Sequence, residues 1–210
     1  MGYRADMLTD IDLHSLIDEH FRTGNDVTLA LRETSLASGI ALENGRVVDI
    51  NNRYGRVGKY DFANVSIWNS GIFERIPSGR KISFVPILGE WIGEGGKIGG
   101  VVHNEGIWFN IGSPAEYLRV HRTIAERRWK PHYVTMEDWP VSIAGDAMVD
   151  GTARFSGFCS IGPGCHIAAD TVLEDTIVWA GGEVASRSCL RNCVVRTGKK
   201  AAGILADAVV

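Results

Sequence analysis

The chain has no apolar run long enough to cross a bilayer, which takes about 20 consecutive apolar residues in a helix. It has no basic excess either. Its 22 lysines and arginines face 25 acids, for a formal net charge of −3, so there is no bulk field to attract nucleic acid or an anionic membrane. Cysteines are few. Cys159, Cys165, Cys189 and Cys193 all lie in the last third, with no Cys-x-x-Cys pair and no histidine at zinc spacing. The N-terminus turns polar within a few residues, so no export signal is read, and without one a disulfide framework is not expected. These absences predict a cytoplasmic chain with reduced thiols. What is present suits a folded protein. Apolar residues make up 45% and charged residues 22% of 210 positions, enough for one large domain or two small ones.

Residues 7 to about 128 read as mixed α/β. Thr9 stands where a helix cap is expected, with Asp12 three residues on in a capping-box position. Leu13, Leu16, Ile17, His20 and Phe21 follow at helical spacing, and Gly24 stops the run. "VTLALRE" and "FANVSIW" are strands. "GIALENGRVVDI" is a hairpin turning at Asn44-Gly45, a pair that tolerates positive φ. "SFVPILGEWIGEGG" places Phe84, Ile87, Leu88, Trp91 and Ile92 on one helical face, and "KIGGVVH" and "GIWFNIG" are short strands. "GSPAEYLRVHRTIAERR" is the clearest helix, with Ser113 as cap, Pro114 at the first position and Glu116 closing a capping box.

From about residue 141 the period changes to six. Ile143, Val149, Phe155, Ile161, Ile167 and Leu173 recur at that spacing, then the register slips by one residue and resumes at Val178, Val184 and Leu190. Small residues follow four positions after the first five: Ala147, Ala153, Cys159, Cys165 and Thr171. A six-residue period fits neither a helix nor a simple strand. It predicts a β-helix in which each hexad makes one side of a coil, and it gives Cys159 and Cys165 a structural place.

An α/β segment ending in "IWFNIGSPAEYLRVHRTI" and followed by hexapeptide repeats resembles the sugar-nucleotide pyrophosphorylases. These are the sugar-1-phosphate nucleotidyltransferases, among them the mannose-1-phosphate guanylyltransferases. The resemblance covers nearly the whole chain, but only the latter part of the family's catalytic domain. It implies a partial Rossmann-like nucleotidyltransferase domain over 1–128, a linker over 129–140, and a left-handed parallel β-helix over 141–210. It implies a sugar 1-phosphate and a nucleoside triphosphate, or a nucleotide sugar, as ligands. Mg2+ is the implied cofactor and self-association through the β-helix the implied assembly, a homo-oligomer.

The implied site residues follow from the matched stretches. "ADMLTDIDL" matches from Ala5, which puts the family's metal-binding aspartate at Asp6. The family's second metal position, in W-x-D-x-G-T-P, falls on Asn110 of "WFNIGSP". An amide keeps a carbonyl oxygen and drops the charge that magnesium prefers. A contact pair of unit charges is worth roughly 4 kcal/mol at an effective dielectric of about 20, so weaker metal binding is expected. Asn64 of "NVSIWN" takes the place of a sugar-hydroxyl ligand, and Gly39 that of a glycine whose backbone approaches the sugar. The family's Glu-Lys-Pro has no counterpart in "DINNRYGRVGKYDF", where Arg53, Arg56 and Lys59 offer substitute charge. The Gly-Gly-x-Gly-Thr-Arg-Leu phosphate loop has no match, so little or no transfer activity is expected of these 210 residues. A non-catalytic sugar-nucleotide-binding or regulatory protein is the alternative.

The histidines carry less. His14 and His20 are six apart on a helix, cannot share a metal as an i, i+4 pair would, and read as face residues. His121 reads as a packed, hydrogen-bonded core residue. His166 raises a rival reading, since hexapeptide-repeat acyltransferases use a histidine as general base. It occupies an ordinary hexad position, with no partner acid evident in the sequence.

Overall fold

The computed structural model describes residues 6–34, 39–79, 82–131, 133–135, 137, 139–140 and 142–210, and the backbone of 2–3. The match beginning at Ala5 and the linker expected over 129–140 include residues outside this set. The chain divides into two compact units, Met1–Trp108 and Phe109–Val210. Among the described residues no helix is long and apolar enough to cross a membrane.

The first unit is mixed α/β. Its elements run β1 (Gly2–Tyr3), β2 (Met7–Thr9), α1 (Leu13–Thr23), β3 (Val27–Arg32), β4 (Ile40–Glu43), β5 (Arg46–Ile50), β6 (Asp61–Trp68), α2 (Ile72–Arg75), α3 (Phe84–Gly93) and β7 (Ile98–Val102). Six of the strands form one sheet in the order β1-β6-β3-β7-β5-β4. Only β3 and β7 run parallel; the other pairings are antiparallel. β3 is central because Val27 to Leu31 are all buried, as a strand covered on both faces requires. The β4–β5 hairpin turns at Asn44 and Gly45 with φ of 48° and 77°, the double left-handed turn its sequence predicted. The expected face of α3 packs on this sheet, with Leu88 and Trp91 buried and Phe84, Ile87 and Ile92 partly so.

Two expectations in α1 are corrected. Asp12, not Thr9, is the cap: its carboxylate accepts from His14 N at 2.9 Å. β2 continues through Thr9, whose hydroxyl donates to the Ile107 carbonyl at 2.9 Å and accepts from Ile11 N. His20 is 2% exposed rather than a face residue. Its ring closes a buried circuit: Nδ1 lies 3.0 Å from Thr28 Oγ1 and Nε2 3.1 Å from Asn69 Oδ1. Asn69 Nδ2 donates to the Asn25 carbonyl and Asn25 Nδ2 to Thr28 Oγ1. An amide oxygen only accepts, which assigns the proton to Nε2 and makes the Thr28 hydroxyl the donor to Nδ1. Gly99 leaves room for this circuit, since a Cβ there would fall 1.9 Å from Asn25 Nδ2. Gly24 ends α1 in the left-handed conformation as read.

A further strand, β8 (Trp108–Asn110), carries the chain from the first unit to the second. The second unit then holds, among the described residues, α4 (Pro114–Arg127) and nine strands wound as a parallel β-solenoid of about three turns. One face stacks β10 (Arg154–Ile161), β12 (Val172–Val178), β14 (Cys189–Arg191) with β15 (Val194–Val195), and β17 (Ile204–Ala206). A second stacks β9 (Met148–Val149), β11 (His166–Ile167), β13 (Glu183–Val184) and β16 (Lys200–Ala201). The hexad residues form three inward rows. Ile143, Ile161, Val178 and Val195 stack in one, Val149, Ile167, Val184 and Ala201 in another, and Phe155, Leu173, Leu190 and Leu205 in the third. Corners are turned by residues at positive φ, such as Gly164, Gly181 and Gly198 down one edge.

The slip in the repeat has a structural cause. Ser156 pairs with Glu174 but Cys159 pairs with Thr176, so Gly157 and Phe158 together oppose Asp175. This is a β-bulge, and it turns Phe158 out of the solenoid interior. Phe158 is buried instead with Leu118 of α4, Ile177 and Val194. The apolar stripe of α4 therefore has its partner in the second unit, and the boundary lies ahead of this helix rather than at 128. Ser113 caps α4 by accepting from Glu116 N at 3.2 Å. The Glu116 carboxylate bonds Arg119 rather than returning to the cap, so half of the expected box is formed.

Cys165 and Cys193 are buried in the solenoid core, Cys159 is half-buried against it and Cys189 is exposed; all four are free. Thr171 occupies a small-residue slot with its hydroxyl buried and without a hydrogen-bond partner among the described residues, whereas Thr176 donates to the Glu174 carbonyl at 2.9 Å. Thr171→Val removes the unsatisfied hydroxyl at nearly constant volume. It is expected to raise the unfolding free energy by about 1 kcal/mol in urea denaturation, while Thr176→Val lowers it by a similar amount. Equal effects of the two substitutions would contradict this assignment.

Candidate functional site

Asn64 sits in the middle of β6 at φ 61°, a left-handed conformation rarely held by a strand residue. The cause is a second bulge. Leu29 pairs with Ser66 and Leu31 with Phe62, so Ala30 alone faces Ala63, Asn64 and Val65. The bulge diverts the Ala63 carbonyl from the ladder, and Trp108 Nε1 donates to it at 3.0 Å. The half-buried Asn64 side chain is thus re-aimed by backbone strain, the arrangement that bulges commonly serve beside ligand sites.

The C-terminal ends of the parallel pair β3 and β7 lie in the same unit, where open α/β sheets hold ligands. Arg32 at the end of β3 donates to the carbonyls of Asn104 and Glu105, both at 2.9 Å. Asp10 accepts from Ile107 N at 2.6 Å, and a Cβ on Gly106 would fall 2.3 Å from that carboxylate. Burial lowers the Arg32 pKa against the pull of Asp10. Burial also lowers that of His103, with Asp12 opposing and Arg32 adding to the shift. His103 Nε2 is buried and takes no hydrogen bond among the described residues. Nothing in the sequence around Arg32, Asp10 or His103 marked them, because their partners lie far along the chain.

Gly39 makes a close approach of another kind. Its carbonyl accepts from Asn51 N at 2.6 Å, and a Cβ on it would meet Asn51 Oδ1 at 2.6 Å. Asn51 begins a loop whose first two residues are both left-handed. That loop is organised by Asp49, which is fully buried. One carboxylate oxygen accepts from Arg53 N at 2.8 Å, and the other from Tyr54 N at 2.8 Å and Arg56 N at 2.9 Å. Tyr54 in turn donates its hydroxyl to the Gly89 carbonyl of α3. The three cations of this region each face an acid: Arg53 with Glu90 at 3.6 Å, Arg56 with Glu43 at 3.1 Å and Lys59 with Glu33 at 2.8 Å. These exposed pairs contribute little to stability.

Asp6 precedes β2 in the first unit, and Asn110 ends β8 in the second. No hydrogen bond among the described residues joins Gly39, Asn64 and Asn110 to one another. Asn110 Oδ1 is buried and accepts no hydrogen bond among the described residues, so a carbonyl-type oxygen is in place there. That is the donor type a hard cation takes, although no group of three or more His, Cys, Asp or Glu side chains gathers among the described residues. In the second unit His121 packs against Tyr117 and Phe158, and burial lowers its pKa. His166 is exposed on β11 and lines a hollow of about 330 Å³ with Asp150 and Met148. No known family model and no curated protein matches the chain.

Proposed function

We propose that the protein is of the sugar-1-phosphate nucleotidyltransferase type. Its first unit represents the partial Rossmann-like catalytic domain and its solenoid a left-handed β-helix. The observation that carries the reading is Asn64, held at φ 61° by the β6 bulge in the position expected of a sugar-hydroxyl ligand. Gly39 enters by the resemblance, which places its backbone beside the sugar; in the structure the space a Cβ would take there is held by Asn51 Oδ1. On this reading Asn64 donates to and accepts from sugar hydroxyls, and the Gly39 backbone packs against the ring. Where Mg2+ is bound, the resemblance would make Asp6 one of its oxygen donors and gives the Asn110 amide oxygen the same role, each in its own unit. The reaction of this type is attack of a sugar phosphate oxygen on the α-phosphorus of the nucleoside triphosphate, which breaks the α–β phosphoanhydride bond and releases pyrophosphate; a bound metal would supply neutralisation of the phosphate charge.

A second reading, a non-catalytic binding or regulatory protein, is favoured by Asn110, whose amide brings no charge to a magnesium ion. One pair of measurements tests both. Calorimetric titration with mannose 1-phosphate and glucose 1-phosphate, with and without magnesium, is expected to show binding of at least one. Asn64→Gly keeps the left-handed backbone accessible and removes the amide, so it is expected to weaken binding about tenfold without loss of fold. Pyrophosphate release on adding nucleoside triphosphates, even at the low rate expected without the phosphate loop, supports the transferase, and binding with no release at all supports the second reading. Absence of binding for both sugar phosphates and their nucleotide sugars would sink the two together.

A further inference from the structure

The second unit contains a cavity that the proposed transfer reaction does not use. It measures about 310 Å³ and lies between α4 and β10. We propose that it binds a neutral aromatic molecule of one or two rings.

The volume sets the size. An apolar cavity of roughly 150 Å³ holds one benzene, and small-molecule sites begin at about 300 Å³. The walls set the shape preference. His121, Trp139 and Phe158 present rings to the space. The His121 ring lies 6.4 Å from that of Phe158 at an interplanar angle of 25°, and Tyr117 meets it edge-on at 4.7 Å. Trp139 Nε1 is already satisfied by the Trp129 carbonyl at 2.9 Å, so its ring offers the cavity an apolar surface with no unmet donor. Stacked and edge-on rings favour a planar aromatic guest over an aliphatic one.

The lining sets the charge. Among the described residues no lysine, arginine, aspartate or glutamate faces the cavity. Arg122 and Asp175 lie close by but are paired with each other at 3.0 Å. Burial lowers the His121 pKa and raises that of the Cys159 thiol, both of which favour the uncharged form. A phosphate or carboxylate would lose its water here and gain no counter-charge. Ser142 and Ser160 supply the few polar side-chain atoms that orient a neutral guest, while the Cys159 thiol at the wall donates to the Ser156 and Leu173 carbonyls. The cavity is also a product of the bulge at Gly157. Without the extra residue Phe158 would not face α4, and the ring wall would be absent. This reading is independent of the one for the first unit.

The test uses the intact chain and indole, a neutral two-ring probe. Saturation-transfer NMR is expected to show indole bound, and indole-3-carboxylate, its anionic relative, not bound. In the Cys189→Ser chain the one thiol left outside the core is Cys159, because Cys165 and Cys193 are buried. Indole is expected to slow alkylation of Cys159 by N-ethylmaleimide, read by peptide mass. At ten times its Kd the rate should fall about tenfold. Ala125→Trp fills the mouth of the cavity from an exposed helix position and should abolish the NMR signal; Ala125→Leu serves if that variant does not fold. The proposal is overturned if indole neither binds nor protects Cys159, if the filled variant binds it as well as the parent, or if the carboxylate binds equally.

Discussion

Replacing Asp49 with alanine is expected to lower the unfolding free energy by about 3 kcal/mol and to unfasten residues 51–56. The side chain is fully buried and its two oxygens accept from three backbone N–H groups of one loop. Among the described residues those donors have no other hydrogen-bond partner. With them go the Tyr54 contact to Gly89 and the Asn51 contact to Gly39, so the effect reaches a residue of the proposed sugar site. Asn is not a conservative replacement here. Its carbonyl oxygen can accept from Tyr54 N and Arg56 N, but its amide nitrogen cannot accept from Arg53 N, so Asp49→Asn should fall between the parent and alanine. Acid should reveal the same group. Burial alone would raise the Asp49 pKa, but the N–H groups of Arg56, Tyr54, Arg53 and Ile50 outweigh it and hold the value down. The stabilisation is therefore present above the unfolded value of about 3.9 and is lost as pH falls through the lower folded value. Between pH 5 and 2 the parent should lose more stability than the alanine variant. Denaturant melts across this range test the energetics, and amide exchange at 53, 54 and 56 tests the loop. Unchanged exchange at those three amides would show that another group holds it.

Local signals in the chain were easier to read than distant ones, and the reason is where each residue finds its partner. The Asn44-Gly45 turn, the Gly24 helix stop and the Ser113-Pro114 helix start depend on residues within a few positions, and each is found as expected. The hexad rows are local in the same sense, since every coil repeats one instruction. Even the slip between Leu173 and Val178 was visible, and it marks the passage from an 18-residue to a 17-residue coil. What the repeat could not show is where the displaced residue goes: Phe158 needs α4, which lies well upstream. His20 failed for a like reason, because Thr28 and Asn69 come from different strands or loops. Asp49 carried a faint signal, an acid inside the apolar run "VVDI", but its partners are amides that no composition reveals. At the candidate site, Asn64 was singled out by resemblance alone; the bulge that strains it depends on the register of β3 against β6.

Gly157→Ala is expected to cost about 3 kcal/mol, more than a left-handed residue elsewhere in the solenoid would. Two effects combine at this position. Gly157 stands at φ 64°, where a Cβ costs about 1–2 kcal/mol. The added carbon would also fall 2.4 Å from Asp175 Oδ1. Asp175 has little freedom to retreat, since it accepts from Phe158 N at 3.1 Å and pairs with Arg122 at 3.0 Å. Gly157→Asn separates the two effects. Asparagine tolerates the left-handed region, as Asn192 shows on the same edge at φ 51°, but it carries the same Cβ. If strain dominates, the asparagine variant should melt near the parent; if the clash dominates, it should melt near the alanine variant, which is the result expected. Adding Asp175→Gly should then recover part of the loss in the alanine background and none in the parent. The clash also displaces Phe158 and α4, so Gly157→Ala should lose indole binding before it loses the solenoid. A variant that melts early yet still binds indole would mean that the bulge stabilises the coil without building the cavity.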